Sequence, residues 1–239
     1  MTSVDVKKLL EAGAHFGHKT SRWHPKMATY IHSKRDGSHI IDLFKTASNL
    51  EVALNFLSSV ASDQKQILLV GTKRQSKDII KKAAETTEMP FVVERWVGGM
   101  LTNSSTMNAR IKHLKDIEQQ MDSGALANKY NKLEIQRFQE EIDSLNFLYG
   151  GIKYMEKHPG AVFVTDAIKD VNAIKEARKL NIPVVAIIDS NADPDRADYP
   201  IPANDDAIKT IDLITDYVVD AINAGKTKVK KTTDSEKGE

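Results

Sequence analysis

The sequence has no cysteine, no long apolar run and almost no net charge, and each absence removes a class of function. Without cysteine the chain can form no disulfide, no thiolate nucleophile and no cysteine-ligated zinc or iron–sulfur centre. No stretch approaches eighteen consecutive apolar residues, and the opening MTSVDVKKLL lacks the apolar region of a signal peptide. We therefore expect a cytoplasmic protein with no membrane partner.

The charges are balanced in number but unevenly placed along the chain. The 239 residues carry 34 Lys and Arg against 33 Asp and Glu, so the net charge is +1. Residues 1–120 contain 18 basic and 12 acidic residues, whereas residues 181–224 contain 2 basic and 9 acidic ones. This asymmetry suggests one face for a polyanion and another for a different partner. Solvated charges that fell unevenly by chance would give the same counts.

From residue 67 onward, short apolar runs alternate with helical patterns. The predicted strands are ILLV at 67–70, a run at 91–93, AVFV at 161–164 and VVAII at 184–188. The predicted helices are 74–87, 171–180 and 205–224. Continuous apolar runs are typical of strands buried on both faces, and repeated strand–helix units predict a parallel sheet with helices on both faces. The expected fold class is therefore α/β.

The rest of the chain is predicted to add to this one α/β domain, which spans residues 1–225. A helix at 4–10, a β-hairpin at about 29–42 and a helix at 43–57 precede the sheet. Two apolar stripes at helical spacing between residues 104 and 157 predict an inserted helical hairpin. Two ordinary covering helices are the alternative, but the segment is long for a simple crossover. Residues 226–239, with many charges and one apolar residue, predict a disordered charged tail.

The most unusual segment is 13–27, GAHFGHKTSRWHPKM, which we call the basic arm. It holds three His, two Lys, one Arg, Phe16 and Trp23, with no acidic residue and no apolar period. Cations and imidazoles are costly to bury without partners, whereas cations among aromatic rings suit the binding of phosphates and the stacking of bases. The basic arm therefore predicts an RNA-docking surface.

Three segments of the sequence resemble enzyme or ligand-binding motifs, but each fails on spacing or context. The segment from Gly13 to Thr20 resembles a P-loop but has too few residues between its glycines and follows a predicted helix. The acidic loop after Asp189 begins like a calcium-binding EF-hand, yet Pro194 stands where that loop needs glycine. Three His in a loop without Cys or carboxylate are an unspecific metal pattern. We predict no catalytic residue, no metal, no cofactor and no small-molecule substrate, with a nucleotide-binding protein using Lys73 as the alternative.

Six strings in the chain identify a family. They are GAHFGHKTSRWHPKM, GSHIIDLFKT, ILLVGTKRQS, ERWVGGMLTN, GGIKYM and NIPVVAIIDSNADPDRADYPIPANDDAIKTI. Together they resemble the bacterial type of small-subunit ribosomal protein S2, over nearly the whole chain. The resemblance implies a flavodoxin-like (Rossmann-like) domain with an inserted coiled-coil hairpin and a structural, non-enzymatic role in translation. It also implies contact with small-subunit ribosomal RNA between head and body, and with neighbouring ribosomal proteins including S1, which it helps to recruit.

The residue types then give a list of RNA contacts. We expect phosphates to be neutralised by Lys19, Arg22, Lys26, Lys73, Arg74 and Arg95. We expect nucleotides to contact or stack on Phe16, His18 and Trp23. Trp23 is equally consistent with packing against the body, and for Trp96 the core is the preferred interpretation, because large aromatic side chains are rarely left exposed.

Overall fold

A computed structural model of the chain describes residues 4–124, 126, 130–155 and 157–235, with the backbone alone over 229–235. It contains a five-stranded sheet, a three-stranded sheet and a helical hairpin. Within the described residues, no helix combines the length and the apolar character that crossing a membrane requires.

The five-stranded sheet is parallel throughout and confirms the expected α/β class. Its strands are β4 Ile67–Val70, β5 Phe91–Val92, β6 Ala161–Val164, β7 Val184–Ile188 and β8 Tyr199–Pro202. They lie in the order β5-β4-β6-β7-β8. The first four match the predicted runs, but β8 was missed because Pro200 and Pro202 argue against a strand. Proline is tolerated on an edge strand, and β8 is an edge strand.

Alternate residues of these strands feed two separate cores, as the pleat of a strand requires. Leu69 and Phe163 face a core closed by three helices, α2 Leu43–Ser62, α3 Lys77–Thr87 and α7 Ile208–Ser235. Leu68 and Val162 face a second core closed by α6 Val171–Lys179, the base of the helical hairpin and Met27 of the basic arm. Because both faces are covered, the carboxyl and amino edges are the parts of this sheet left for function.

The N-terminal region forms its own small sheet. Helix α1, Val6–Ala12, ends at Gly13, whose φ of 81° is the left-handed conformation of a helix C-cap. The strands β1 Phe16–Lys19, β2 Ile31–Arg35 and β3 Ser38–Ile41 then pair antiparallel in the order β1-β3-β2. The turn between β2 and β3 has φ of 50° at Asp36 and 76° at Gly37, as a tight hairpin turn needs. The basic arm is thus partly a strand rather than a loop.

The inserted hairpin consists of α4 Ser104–Asp122 and α5 Lys132–Tyr149, followed by a 3-10 turn at Gly150–Ile152. The predicted apolar stripes meet in a small core of their own, which includes Leu114, Ile117 and Ile142. Asn131 caps α5 with a full capping box to Glu134.

The C-terminal helix is longer than expected. α7 runs on to Ser235, so the expected disordered tail is helical over 226–235, and residues 236–239 lie outside the described part. The sequence predicts a helix that ends at residue 224, before Gly225. In the structure Gly225 is inside the helix, where a Cβ would lie 2.3 Å from the Ser58 carbonyl oxygen of α2. That glycine allows close helix packing rather than ending the helix.

Candidate nucleic-acid interface

The basic arm lies across the carboxyl edge of the parallel sheet. The backbone N–H of His18 donates to Ser190 Oγ at 2.8 Å, and that of His24 donates to the Ser190 carbonyl at 2.7 Å. At Gly17 a Cβ would lie 2.8 Å from Ser190 Oγ, so only glycine allows the arm to approach so closely. The edge at which open α/β sheets bind ligands is therefore covered here by the chain itself.

Beneath the arm, Lys73 is surrounded by carboxylates. Its ammonium lies 2.8 Å from Asp205, 2.8 Å from Asp206 and 3.1 Å from Asp166, and its side chain is 17% exposed. Partial burial lowers the pKa of Lys73, but hydrogen bonds and charges from these aspartates outweigh burial and raise it. Burial, and then Asp166 and Asp189, raise the pKa of Asp205 to about 7.

This network changes the role of Lys73. Three carboxylates surround its ammonium, so neutralising an RNA phosphate would require Lys73 to leave these partners, and that contact stays a prediction. The same carboxylates would repel a nucleotide phosphate, which argues against the nucleotide-binding alternative. We assign Lys73 a role in stabilising the folded protein through these ion pairs.

His18 also faces inward. Its Nδ1 lies 3.0 Å from Asp189 and its Nε2 lies 3.4 Å from Asp206. The hydrogen bond to Asp189 raises the pKa of His18 despite partial burial, and the charges of Asp205 and Asp206 add to this. Both ring nitrogens of His18 thus lie beside carboxylates, and its expected contact with a nucleotide stays a prediction.

His18 belongs to a group that could hold a metal. One ligand atom each from His18, Asp189 and Asp205 lies within 4.8 Å of the others. An imidazole with two carboxylates is a ligand set that suits a divalent cation such as zinc. Sequence reasoning considered His15, His18 and His24 together and missed this set, because its carboxylates come from the far end of the chain.

Four of the predicted cations are open to solvent. They are Lys19 in β1, Arg22 in the following 3-10 turn, Arg74 after β4 and Arg95 after β5. None of them forms an ion pair with another described residue. Lys26 is different: although 51% exposed, it lies 2.6 Å from Asp195 and 3.3 Å from Asp193, which ties the arm to the loop after β7.

The aromatic residues singled out in the sequence differ in exposure. Phe16 is 53% exposed and Trp23 is 36% exposed. The Trp23 ring lies 5.1 Å from the His39 ring, with the Lys34 ammonium 5.9 Å from its centroid, so it both packs and remains accessible. Trp96 is buried, as the preferred interpretation held.

Three residues with a role in this region, Lys34, Arg35 and Glu176, are not among the predicted ones. Lys34 and Arg35 in β2 are exposed and extend the cationic surface, a role that their position in the predicted hairpin could have indicated. Glu176 in α6 gave no signal in the sequence. Its carboxylate accepts hydrogen bonds from Trp96 Nε1 and from the backbone N–H groups of Gly99, Leu101 and Thr102, at 2.8–3.2 Å.

Together the exposed side chains define what we call the carboxyl-edge surface. Its members are Phe16, Lys19, Arg22, Trp23, Lys34, Arg35, Arg74 and Arg95. It combines exposed cations, of which only Arg35 has a carboxylate partner (Asp36, at 3.7 Å) within the described residues, with accessible rings. RNA-binding surfaces use this composition for phosphates and unpaired bases.

The family comparison agrees with the resemblance noted in the sequence. The family model described as Ribosomal protein S2 matches residues 9–225, which include the basic arm, both sheets and the helical hairpin.

Proposed function

Because the chain belongs to the ribosomal protein S2 family, whose members are structural proteins of the small ribosomal subunit rather than enzymes, we propose that it binds small-subunit ribosomal RNA through the carboxyl-edge surface. The observation that carries this proposal is the set of exposed cations without carboxylate partners at Lys19, Arg22, Arg74 and Arg95. Cations that are not neutralised internally can replace the counterions of a phosphate backbone, and this exchange drives RNA binding.

The contacts that hold the basic arm on the carboxyl edge of the parallel sheet support the same proposal. His18, Lys26 and Lys73 lie 2.6–3.4 Å from six aspartates, and these contacts fix the basic arm on the sheet. Holding the arm in place before RNA arrives lowers the ordering cost of binding. The cations with carboxylate partners therefore position the arm, and the exposed cations without such partners bind phosphate.

The first prediction concerns the double variant Lys19→Ala/Arg22→Ala. At about 0.1 M monovalent salt, loss of two phosphate contacts should weaken binding of the full-length protein to small-subunit ribosomal RNA about 30-fold. Filter binding at fixed salt measures this.

The matched control is Lys175→Ala/Lys179→Ala, which removes two exposed lysines from α6, outside the carboxyl-edge surface. Its affinity should stay within about twofold of the unmodified protein. Equal losses in the two double variants would show that only total charge matters and would reject the assigned surface.

The second part of the proposal concerns partners. We propose that the protein acts in the cytoplasmic ribosome between head and body of the small subunit and helps to recruit ribosomal protein S1. Of the nine acidic residues in 181–224, five lie beside His18, Lys26 or Lys73. Asp212, Asp216 and Asp220 of α7 form no ion pair within the described part of the chain, and they supply charge of the opposite sign to the RNA-binding surface, which suits a protein partner. Small subunits reconstituted without this protein should lose most of their S1 on sedimentation. Full retention of S1 would reject that role.

A further inference from the structure

Tyr154 lies in an irregular segment at the base of the helical hairpin, and its side chain is 75% exposed. Gln66, the residue before β4, donates from Nε2 to the Tyr154 carbonyl at 3.5 Å. Tyr154 is therefore beside the amino end of β4, at the other end of that strand from the carboxyl-edge surface. A ring this open contributes little to the core and is accessible to a partner.

Lysines surround the exposed ring. The Lys115 ammonium lies 5.2 Å from the ring centroid and the Lys153 ammonium lies 5.9 Å from it. Lys153 is also ion-paired with Glu118, whereas Lys115 has no ion pair within the described part of the chain. Lys115 is thus a cation held near an aromatic face with its charge still available.

The cationic strip continues along α4. Lys112 is exposed one turn before Lys115 and shares its helix face. Exposed Lys157 lines a cavity of about 250 Å³ together with Asn108, two turns before Lys115. At ~1.5 Å per residue, those two turns cover about 10 Å along the helix. An extended polyanion can follow such a strip, whereas a compact anion would use only one of these lysines.

We propose that Tyr154 is a stacking platform for an unpaired base of the ribosomal RNA, with Lys115 and Lys157 binding the phosphates beside it. This proposal rests on the proposed function and adds a second contact region away from the carboxyl-edge surface. Base–aromatic stacking is stronger than a lysine–aromatic contact exposed to water. An incoming base therefore displaces the Lys115 ammonium from the ring, and the freed ammonium moves to a phosphate.

The choice of RNA over a protein partner follows from the composition of the patch. The side chains around the open ring are lysines, and unneutralised cations suit a phosphate backbone better than the charge-depleted centre of a protein interface. Stacking tolerates every base because every base has a π-face, so the platform contributes affinity without reading sequence.

The test compares three variants of the full-length protein for binding to small-subunit ribosomal RNA. Tyr154→Ala should weaken binding about tenfold, and Tyr154→Phe, which keeps the ring, should bind within about twofold of the unmodified protein. Phe147→Ala is the matched control, because Phe147 is an exposed aromatic of α5, 58% exposed, and its removal should not alter affinity. Ultraviolet crosslinking should also attach a nucleotide to Tyr154.

The outcomes separate this proposal from the one on which it rests. If the unmodified protein does not bind the RNA, both proposals fail. If it binds and Lys19→Ala/Arg22→Ala is weakened while Tyr154→Ala is not, the platform alone is rejected. A Tyr154→Ala protein that does not fold leaves the crosslink as the readout, and nucleotide adducts found only elsewhere would overturn the platform.

Discussion

Replacing Lys73 with methionine is expected to lower the free energy of unfolding by about 3–5 kcal/mol, the usual cost of removing one partner from a buried ion pair. The ammonium is the only cation within ion-pair distance of both Asp166 and Asp205 among the described residues, and both aspartates are buried. Methionine retains most of the side-chain volume, so the change isolates the charge. Since domains are stable by only ~5–15 kcal/mol, this variant is close to unfolding.

The loss in free energy of unfolding caused by Lys73→Met should be larger at high pH than at low pH. Without Lys73 the folded-state pKa of Asp205 rises further, because the repulsion from Asp166 and Asp189 is no longer offset. This carboxyl group then takes up a proton as the pH falls, and the repulsion is relieved. The deficit measured by urea unfolding should therefore be largest near pH 8 and shrink towards pH 5, in a window that contains the pKa of Asp205 at about 7.

Lys26→Met provides the control, since Lys26 also contacts two aspartates but is half exposed. Solvent screens that pair, so the urea midpoint should hardly move. A Lys73 variant as stable as the Lys26 variant at pH 8 would mean that the network does not hold the arm and the sheet edge together.

Replacing Glu176 with alanine is the second large effect, with an expected loss of about 3 kcal/mol in the free energy of unfolding. The substitution leaves the buried Trp96 indole N–H and the N–H groups of Gly99, Leu101 and Thr102 without their acceptor. These groups order the loop that carries Arg95 and leads into α4. Thermal or urea unfolding measures the loss.

Its controls are a neutral isostere and a distant glutamate. Glu176→Gln keeps one acceptor oxygen and should lose less than the alanine variant. Glu85→Ala, at an exposed site of α3, should change stability by less than about 0.5 kcal/mol. If Glu176→Ala were as stable as Glu85→Ala, the loop would not depend on the carboxylate.

Low pH should weaken the hydrogen bonds that the Glu176 carboxylate accepts. Burial raises the pKa of Glu176, but the hydrogen bonds from Trp96, Gly99, Leu101 and Thr102 outweigh it and lower the pKa below its ordinary value of 4.5. A group whose folded-state pKa is lowered stabilises the fold above its ordinary pKa and loses that contribution as the pH falls further. The difference between the unmodified protein and Glu176→Ala should accordingly shrink below about pH 4.5.

Local sequence patterns predicted the secondary-structure elements that depend only on neighbouring residues. The run ILLV became β4 with the predicted bounds, and the Asp36-Gly37 turn closed the predicted hairpin. The same reasoning missed β8, because its two prolines are acceptable only at a sheet edge, and edge position is a property of the whole sheet.

The site was harder to predict, because its partners meet only after folding. His18 and Asp189 are separated by 171 positions, and Lys73 and Asp205 by 132. Residue type suggested that His18, Lys26 and Lys73 contact RNA, but the fold places aspartates from residues 166–206 beside them. Lys19, Arg22, Arg74 and Arg95 have no carboxylate within ion-pair distance in the described part of the chain, and no local pattern in the sequence reveals this.

The central claim is that the cations of the carboxyl-edge surface bind phosphates, and the salt dependence of RNA binding tests it most directly. The measurement is the slope of log K against log salt concentration for the unmodified protein, Lys19→Ala/Arg22→Ala and Lys175→Ala/Lys179→Ala. Each phosphate contact contributes about 0.7–0.9 to that slope. We predict a slope shallower by about 1.4–1.8 in the first double variant and an unchanged slope in the second. An unchanged slope in Lys19→Ala/Arg22→Ala would contradict the account.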